Sequence, residues 1–350
     1  SFKTNKAILK YIGISAFFFL IAGFTLWAIF ATNKNCSLTE LITDTKEADT
    51  KYMILAFAAM LGFILFEGLS LSILVKFLGY KTSFFSGSIY SAADIFCSAV
   101  TPSASGGQPA SAFFMIKDGI SKTQTTVILL TNLVMYSLSL VICGLFTFIF
   151  NFSVFLAYET LAKVLIIIGS VVMLLLCIAF ILFLTKEKLI YGFLSFFINI
   201  LSRIKIFKKT DKLTARLDSI VEKYNMCSSA IKGKKLIISG TFIFNLLQRL
   251  SHTMVTVFIY LALGGNVSNI FDVGSIQLLT SLGANSFPIP GGIGVTDYLL
   301  IEGFKSIKDV DVAAHLALLS RGVSFYSCII FSLIILLSGC IVNCIRKNKE

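Results

Sequence analysis

The chain alternates between long apolar runs and short polar loops. Apolar runs of 18 or more residues are typical of membrane-spanning helices, because an α-helix needs about 20 residues to cross a bilayer. Six runs of this kind predict full transmembrane helices. They cover approximately residues 7–30, 52–75, 123–150, 155–184, 236–263 and 312–343.

Two further apolar segments are each interrupted near the middle by proline and glycine. The first segment, residues 84–116, is interrupted by Thr101-Pro102-Ser103-Ala104-Ser105-Gly106-Gly107-Gln108-Pro109. The second, residues 271–304, is interrupted by Phe287-Pro288-Ile289-Pro290-Gly291-Gly292-Ile293-Gly294. Proline cannot continue a helix, and glycine reaches backbone conformations closed to other residues. At membrane depth such a break is tolerated only inside protein or beside a water-filled cavity.

The two broken segments belong to longer units that resemble each other. Each unit is a span, a broken segment and another span. Asn132 in the third span and Arg321 in the sixth hold corresponding places, and Tyr136 and Tyr326 follow them at similar offsets. We therefore predict an internal repeat.

The distribution of lysines predicts how the broken segments lie in the membrane. Lys76 and Lys81 precede the first broken segment, and Lys122 follows it. By the positive-inside rule, both flanks are cytoplasmic. The first segment then dips into the membrane and returns, and the second dips in from the other side. The predicted fold is an all-α polytopic membrane protein with six full spans and two re-entrant hairpins in an inverted repeat.

The composition agrees with a membrane protein: 56% of the 350 residues are hydrophobic and 14% are charged. The net charge is +12, but the basic residues flank apolar spans, so the positive-inside rule explains them better than nucleic-acid binding. Residues 186–235 hold twelve basic and four acidic residues and form a predicted cytoplasmic amphipathic linker. The linker is either a solvated connection or a contact with anionic lipid.

Three regions follow from this arrangement. Residues 1–185 form an N-terminal membrane half with the first hairpin at 84–118, and residues 186–235 form the linker. Residues 236–350 form a C-terminal membrane half with the second hairpin at 271–305. Both termini are predicted to be cytoplasmic.

The glycine turns are candidate anion sites. The second half of each hairpin begins directly after the glycines, and the free N–H groups and dipole of a helix N-terminus favour an anion. We predict that a lipid phosphate is held by Gly291, Gly292, Gly294, Arg321, Gly106, Gly107 and Gln108. The alternative is that each turn is only a tight packing contact.

Ionisable residues inside the spans are a second group of candidates, because burying a charge is costly unless it has a partner or a function. Arg321 either binds lipid phosphate or pairs with Asp297 or Glu302. An ion pair between Arg249 and Glu67 would neutralise both charges.

Further polar side chains suggest a hydrated path. Asn245, Gln248, Arg249, His252 and Thr256 share one helical face in the fifth span. Asp94 lies in the first hairpin, where it could meet a cationic headgroup.

No motif indicates an enzyme. The sequence has no GxxxxGK[ST], HExxH, GxSxG or Cys/His metal cluster. We therefore predict no catalytic residues, no metal and no cofactor, although an intramembrane enzyme using Asp, Glu and His stays an alternative.

The turn motifs carry a family resemblance. Ser105-Gly106-Gly107-Gln108-Pro109, the Pro288-x-Pro290-Gly291-Gly292-Ile293-Gly294 stretch and Arg321-x4-Tyr326 resemble the membrane domain of lysylphosphatidylglycerol synthase and its stand-alone flippase-like relatives. The resemblance covers most of the chain. One departure is Asp297, where the family commonly has Glu, and the shorter side chain puts a direct role in doubt.

The resemblance implies a function. It implies a flippase that moves an aminoacylated phospholipid, such as lysylphosphatidylglycerol, between the leaflets of a bacterial plasma membrane and contributes to resistance to cationic antimicrobial peptides. Alternatives are a glycolipid or other polar-lipid transporter, or a non-catalytic subunit of a lipid-modifying transferase. The implied partners are membrane phospholipids and, in the last case, a separate transferase; an oligomer is compatible with the sequence.

Overall fold

The computed structural model describes residues 46–101, 105–186, 192, 224–226, 229, 233–287, 289, 292, 294–308 and 310–347. Within these ranges the chain is helical and has no strand. The predicted first span, residues 7–30, and most of the predicted linker lie outside the described residues.

The helices follow one another with short connections. In chain order they are α1 Thr50–Phe77, α2 Phe84–Val100, α3 Gly107–Lys117, α4 Lys122–Phe150, α5 Phe152–Ala157, α6 Thr160–Thr185, α7 Lys235–Ala262, α8 Ile270–Ala284, α9 Val295–Phe304, α10 Val310–Arg321 and α11 Cys328–Lys347. A π-helical turn, Gly322–Ser327, joins α10 to α11 without ending the helix.

Five helices of the described chain are long and apolar enough to cross a membrane: α1, α4, α6, α7 and the continuous stretch Val312–Gly339. They confirm five of the six predicted spans and an all-α polytopic membrane protein. Apolar side chains such as Ile149, Leu161 and Leu175 point away from the protein, with exposed fractions of 60% or more. A bilayer would cover this surface.

The fourth span begins later than predicted. The sequence suggested a start at Phe155, but the chain forms the short helix α5, and α6 starts at Thr160. Tyr158 and Glu159 between them have extended backbones, with ψ of 150° and 161°. The buried Tyr158 side chain packs in the core beside Phe155 and Ala162.

Side-chain caps define several helix starts. The Asp49 carboxylate accepts the Lys51 N–H at 2.8 Å before α1. Ser83 accepts the Ser86 N–H at 3.1 Å before α2. A capping side chain satisfies a backbone donor that has no partner within the helix.

Both broken segments fold as helical hairpins. Hairpin 1 is α2 with α3, and hairpin 2 is α8 with α9; in each, the two helices pack on one another. The helices have 17, 11, 15 and 10 residues. At about 1.5 Å per residue, each is roughly 15–26 Å long, shorter than the hydrocarbon core of about 30 Å.

The two units of the repeat run in opposite directions. Helices α1 and α7, the first helix of each unit, pack along their length, and the Asp49 N–H at the start of α1 donates to the Ala262 carbonyl at the end of α7 at 2.9 Å. Hairpin 1 packs on α11 of the second unit, and hairpin 2 packs on α4 of the first. The antiparallel packing of α1 and α7 is the arrangement that the predicted inverted repeat requires.

Glycines let the hairpins approach their neighbours closely. A Cβ atom on Gly87 of α2 would lie 2.4 Å from the Gly68 carbonyl oxygen of α1. A Cβ atom on Gly169 of α6 would lie 2.4 Å from the Leu282 carbonyl oxygen of α8. Both distances are far below van der Waals contact, so the crossings require glycine.

Candidate functional site: a cavity between the two hairpin turns

A cavity of about 510 Å³ lies where the two hairpin turns meet. Gln108 reaches it from hairpin 1, and Ile289 and Gly292 reach it from hairpin 2. Helices α1, α4, α6 and α7 and the last span form much of the rest of its wall. Two turns far apart in sequence therefore border one space, as the repeat predicted.

The cavity contains about half of the residues that the sequence singled out. Glu67, Asp94, Gln108, Arg249, His252, Gly292 and Arg321 line it. Among the described residues, Gly106, Gly107, Asn245, Gly294, Asp297 and Glu302 do not line it. Gly291 lies outside the described residues.

Asp94 holds the turn of hairpin 1 together. Its carboxylate accepts the Gln108 amide at 2.6 Å and the Ser98 hydroxyl at 3.1 Å. A Cβ atom on Gly107 would lie 2.0 Å from the Asp94 Oδ1 atom. The Gly106 N–H donates to the Thr101 hydroxyl at 2.9 Å. The two glycines therefore shape the turn, and their neighbour Gln108 faces the cavity.

The turn of hairpin 2 depends on left-handed glycines. Gly292 has a φ of +64° and Gly294 a φ of +83°, a region that other residues enter only with strain. The Gly294 N–H donates to the Asp297 carboxylate at 2.9 Å. The Asp297 carboxylate in the first turn of α9 therefore takes the donor that the predicted anion site would use, and phosphate binding at this turn stays a prediction.

Arg321 pairs with Asp297, which favours one of the two alternatives. The Arg321 Nε atom lies 3.2 Å from the Asp297 Oδ1 atom. The guanidinium also lies over the Phe325 ring, with its Cζ atom 4.7 Å from the ring centroid. Arg321 still lines the cavity, so the ion pair holds the arginine beside the cavity. Glu302, the other suggested partner, forms an ion pair with Lys305.

The suggested ion pair between Arg249 and Glu67 is not formed as a direct contact among the described residues. Glu67 instead accepts hydrogen bonds from Gln248 and Ser91, both at 3.0 Å. Neighbouring helical residues point about 100° apart, so the contact of Gln248 with Glu67 turns Arg249 aside.

Arg249 lies between aromatic rings. Its Cζ atom is 4.2 Å from the Tyr136 centroid and 5.2 Å from the Phe63 centroid. The side chain is 4% exposed, and its Nε donor has no partner among the described residues. A buried arginine with a free donor at a cavity wall is suited to bind an anion.

The predicted polar stripe of α7 divides into two groups. Gln248, Arg249 and His252 face the cavity. Asn245 instead lies behind it, where its amide donates to Ser70 at 2.8 Å and to Asn132 at 3.0 Å. This network joins α1, α4 and α7, so Asn245 connects helices and does not contact the cavity.

Several lining residues are not among the candidate site residues of the sequence. Tyr136 is a position of the internal repeat, and Gln277 lies in α8 with no motif around it. Met173, Leu176 and Phe180 form an apolar wall on α6, and nothing in the sequence separates them from lipid-facing residues. The cavity therefore offers two guanidinium groups, two carboxylates, amides and an apolar side.

Comparison with protein families places most of the chain in a described family. The family described as the lysylphosphatidylglycerol synthase TM region matches residues 11–332, most of the 350 residues. Among curated proteins, no significant match was found.

Proposed function

Since the chain belongs to the lysylphosphatidylglycerol synthase transmembrane family, we propose that it is a flippase that moves a polar lipid between membrane leaflets. The observation that carries the proposal is the convergence of both hairpin turns, two arginines and two carboxylates on one cavity. Transporters built from inverted repeats with broken helices hold their substrate between the repeats, near the bilayer midplane.

Arg249 is the proposed anchor for the lipid phosphate. Its unpartnered Nε donor can form a charge-assisted hydrogen bond to a phosphate oxygen. Arg321, at the end of α10 in the same unit of the repeat, supplies a second positive charge at the cavity wall. This revises the hypothesis drawn from the sequence, because the Gly294 N–H is already bonded to Asp297.

The proposed substrate carries an amine as well as a phosphate. Asp94 and Glu67 lie at the same cavity as Arg249, so the phosphate and the amines of an aminoacylated headgroup, such as that of lysylphosphatidylglycerol, have counter-charges. The acyl chains lie along the apolar wall of α6 formed by Met173, Leu176 and Phe180. Because the polar wall of the cavity excludes the acyl chains, these chains stay in the hydrocarbon of the bilayer.

Transport of such a lipid has a cellular consequence. We place the protein in a bacterial plasma membrane with cytoplasmic termini. An amine-bearing lipid in the outer leaflet lowers the negative surface charge that attracts cationic peptides. Resistance to those peptides follows.

Lipid translocation in proteoliposomes tests the proposal. Fluorescent amine-bearing phospholipid is placed in both leaflets, and a membrane-impermeant quencher reports how much reaches the outer leaflet over time. Losing a charged hydrogen bond of roughly 1.5–3 kcal/mol weakens headgroup binding about 10- to 100-fold. We expect Arg249→Gln to slow translocation by a similar factor at low lipid fraction.

The matched control is Lys308→Gln. The Lys308 Nζ atom also lies near a tyrosine ring, 5.9 Å from the Tyr260 centroid, but Lys308 does not line the cavity among the described residues. This variant should translocate at the wild-type rate. A folded Arg249→Gln protein with wild-type translocation would remove Arg249 from the proposed site, and a wild-type protein with no translocation would refute the flippase.

A further inference from the structure

Two buried carboxyl groups share one wall of the cavity. Glu67 of α1 is 5% exposed and Asp94 of α2 is 8% exposed. Both line the cavity, and Ser91, one helical turn before Asp94 on α2, donates to Glu67 at 3.0 Å, which brings the two carboxyl groups close together. Like charges buried side by side repel, so a pair of this kind favours holding one proton or one cation.

The other charged groups near Glu67 and Asp94 do not supply the positive charge that this carboxyl pair favours. Arg249 of α7 and Arg321 of α10 are the guanidinium groups of the cavity wall, and Asp297 of α9 is bonded to Arg321. With Glu67 and Asp94 ionised, three carboxylates face two guanidinium groups. One further positive charge makes this set neutral.

Other titratable side chains also lie near the pair. Tyr136 of α4, His252 of α7 and Cys328 of α11 line the same cavity, and Cys97 lies three residues after Asp94 on α2. Lys117 and Asp118 lie at the far end of α3 from the turn. Within this set only His252 could add a positive charge, and it shares the cavity wall with Arg249 and Arg321.

Gln248 supplies an independent sign of a missing ligand. Its side chain is 1% exposed, and its Nε2 atom donates to Glu67 at 3.0 Å. Its Oε1 atom has no hydrogen-bond partner among the described residues. A buried acceptor without a partner costs roughly 1–3 kcal/mol, so a donor that also binds the carboxyl pair would relieve this cost.

An ammonium group fits these acceptors. It carries three N–H donors and no acceptor, and Glu67, Asp94 and the Gln248 Oε1 atom offer one acceptor each. A proton bound by the carboxyl pair occupies the same place but leaves the Gln248 oxygen unsatisfied. The two occupants therefore exclude each other.

We propose that Glu67 and Asp94 form an exchange site that holds either one proton or the ammonium group of a lipid, so that lipid transport is driven by proton exchange. This rests on the proposed flippase function. When the ammonium enters, the proton leaves the carboxyl pair for water in the cavity. When the ammonium leaves on the other side of the membrane, the pair takes up a proton there. Only the carboxyl O–H bond breaks and forms again, with water accepting and returning the proton, and one positive charge replaces another.

Proton release on binding tests the exchange without any transport. Purified protein in weakly buffered detergent with a pH indicator is mixed with dioctanoyl phosphatidylethanolamine, which bears an amine, or dioctanoyl phosphatidylglycerol, which does not. We expect about one proton released per bound amine lipid and almost none with the amine-free lipid. Glu67→Gln and Asp94→Asn should each abolish the release.

Asp118→Asn is the matched control for these variants. Asp118 follows hairpin 1 and accepts a hydrogen bond from Tyr90 at 2.6 Å, away from the cavity. The Asp118→Asn variant should therefore release as many protons per bound amine lipid as the wild type. Amine lipid that binds the wild type without releasing a proton overturns the exchange site, as does equal release by both lipids. The lipid comparison uses the wild type alone, so it stands even if a variant fails to fold.

A pH gradient across proteoliposomes extends the test to transport. With the membrane potential held at zero, one-for-one exchange should shift the distribution of an amine lipid with one net positive charge between leaflets about tenfold per pH unit. Equilibration of lipid with no response to the gradient refutes proton exchange and leaves the flippase intact. Proton release on binding without lipid movement refutes the flippase and leaves the exchange site intact.

Discussion

At the scale of single residues, Asp297 has more than one role. One carboxylate oxygen accepts the Gly294 N–H at 2.9 Å, and the other accepts the Arg321 Nε–H at 3.2 Å. The same side chain therefore closes the turn of hairpin 2 and holds the arginine beside the cavity. The short Asp side chain is therefore sufficient for both contacts.

Gly294 allows a prediction about this turn. A Cβ atom at Gly294 would meet no atom within 4 Å, but its φ of +83° strains any side chain. Gly294→Ala should destabilise the protein by about 1–2 kcal/mol, measured by reversible unfolding in detergent micelles.

Gly322 is the matched control, because a methyl group there also meets no atom within 4 Å and its φ lies outside the left-handed range. Gly322→Ala should change the free energy of unfolding by less than Gly294→Ala does. Equal effects would mean that the backbone conformation of the turn is not what requires glycine.

At the scale of elements, the crossing of α1 and α2 sets the distance between Glu67 and Asp94. The crossing is close because Gly68 and Gly87 face each other. Ser91 adds a link, since its hydroxyl donates to Glu67 at 3.0 Å and contacts the Ile64 carbonyl at 2.8 Å. The carboxyl pair is therefore held by helix packing.

Gly87→Ala should push the two helices apart. The added Cβ atom would lie 2.0 Å from the Ser72 Oγ atom and 2.4 Å from the Gly68 carbonyl oxygen. Overpacking of this kind costs about 1–3 kcal/mol, and we expect a lower unfolding temperature together with reduced binding of amine lipid.

Gly240→Ala tests whether any added methyl group has this effect. Its Cβ atom would meet only the Ile73 Cδ1 atom, at 3.6 Å, which is ordinary contact. Stability and lipid binding should stay at wild-type values. A harmless Gly87→Ala would show that the crossing can relax without disturbing the cavity.

At the scale of the whole molecule, the antiparallel packing of α1 and α7 makes the repeat inverted. The start of α1 meets the end of α7 at the Asp49–Ala262 hydrogen bond. Each hairpin then packs on the last helix of the other unit. The turns meet because of this exchange, since neither unit alone encloses the cavity.

Cross-linking tests this topology. Cysteines introduced as Asp49→Cys and Ala262→Cys should form a disulfide or short cross-link, identified by mass spectrometry of the linked peptides. The control pair, Asp49→Cys with Lys235→Cys, places the second cysteine at the opposite end of the 28-residue helix α7, about 40 Å away. Cross-linking of the control pair, or failure of the first pair, would contradict the antiparallel arrangement.

The sequence by itself determined the helices and the two hairpins. Apolar runs predict spans, and proline and glycine mark breaks, because these signals act through the local backbone and the thickness of the bilayer. Lysine positions also predicted opposite orientations for the two units. Hairpin bounds of 84–118 and 271–305 agree with the observed helices to within about a residue.

Only the tertiary structure decided which polar side chains meet. The sequence suggested an ion pair between Arg249 and Glu67. In the structure Gln248 donates a hydrogen bond to Glu67, and Arg249 lies between the rings of Phe63 and Tyr136. A rotation of one residue about a helix axis, roughly 100°, exchanges such partners without altering the hydrophobic pattern. The rotation of each helix is set by close helix crossings and by contacts between the two units of the repeat. The hydrophobic pattern of the sequence does not specify these contacts.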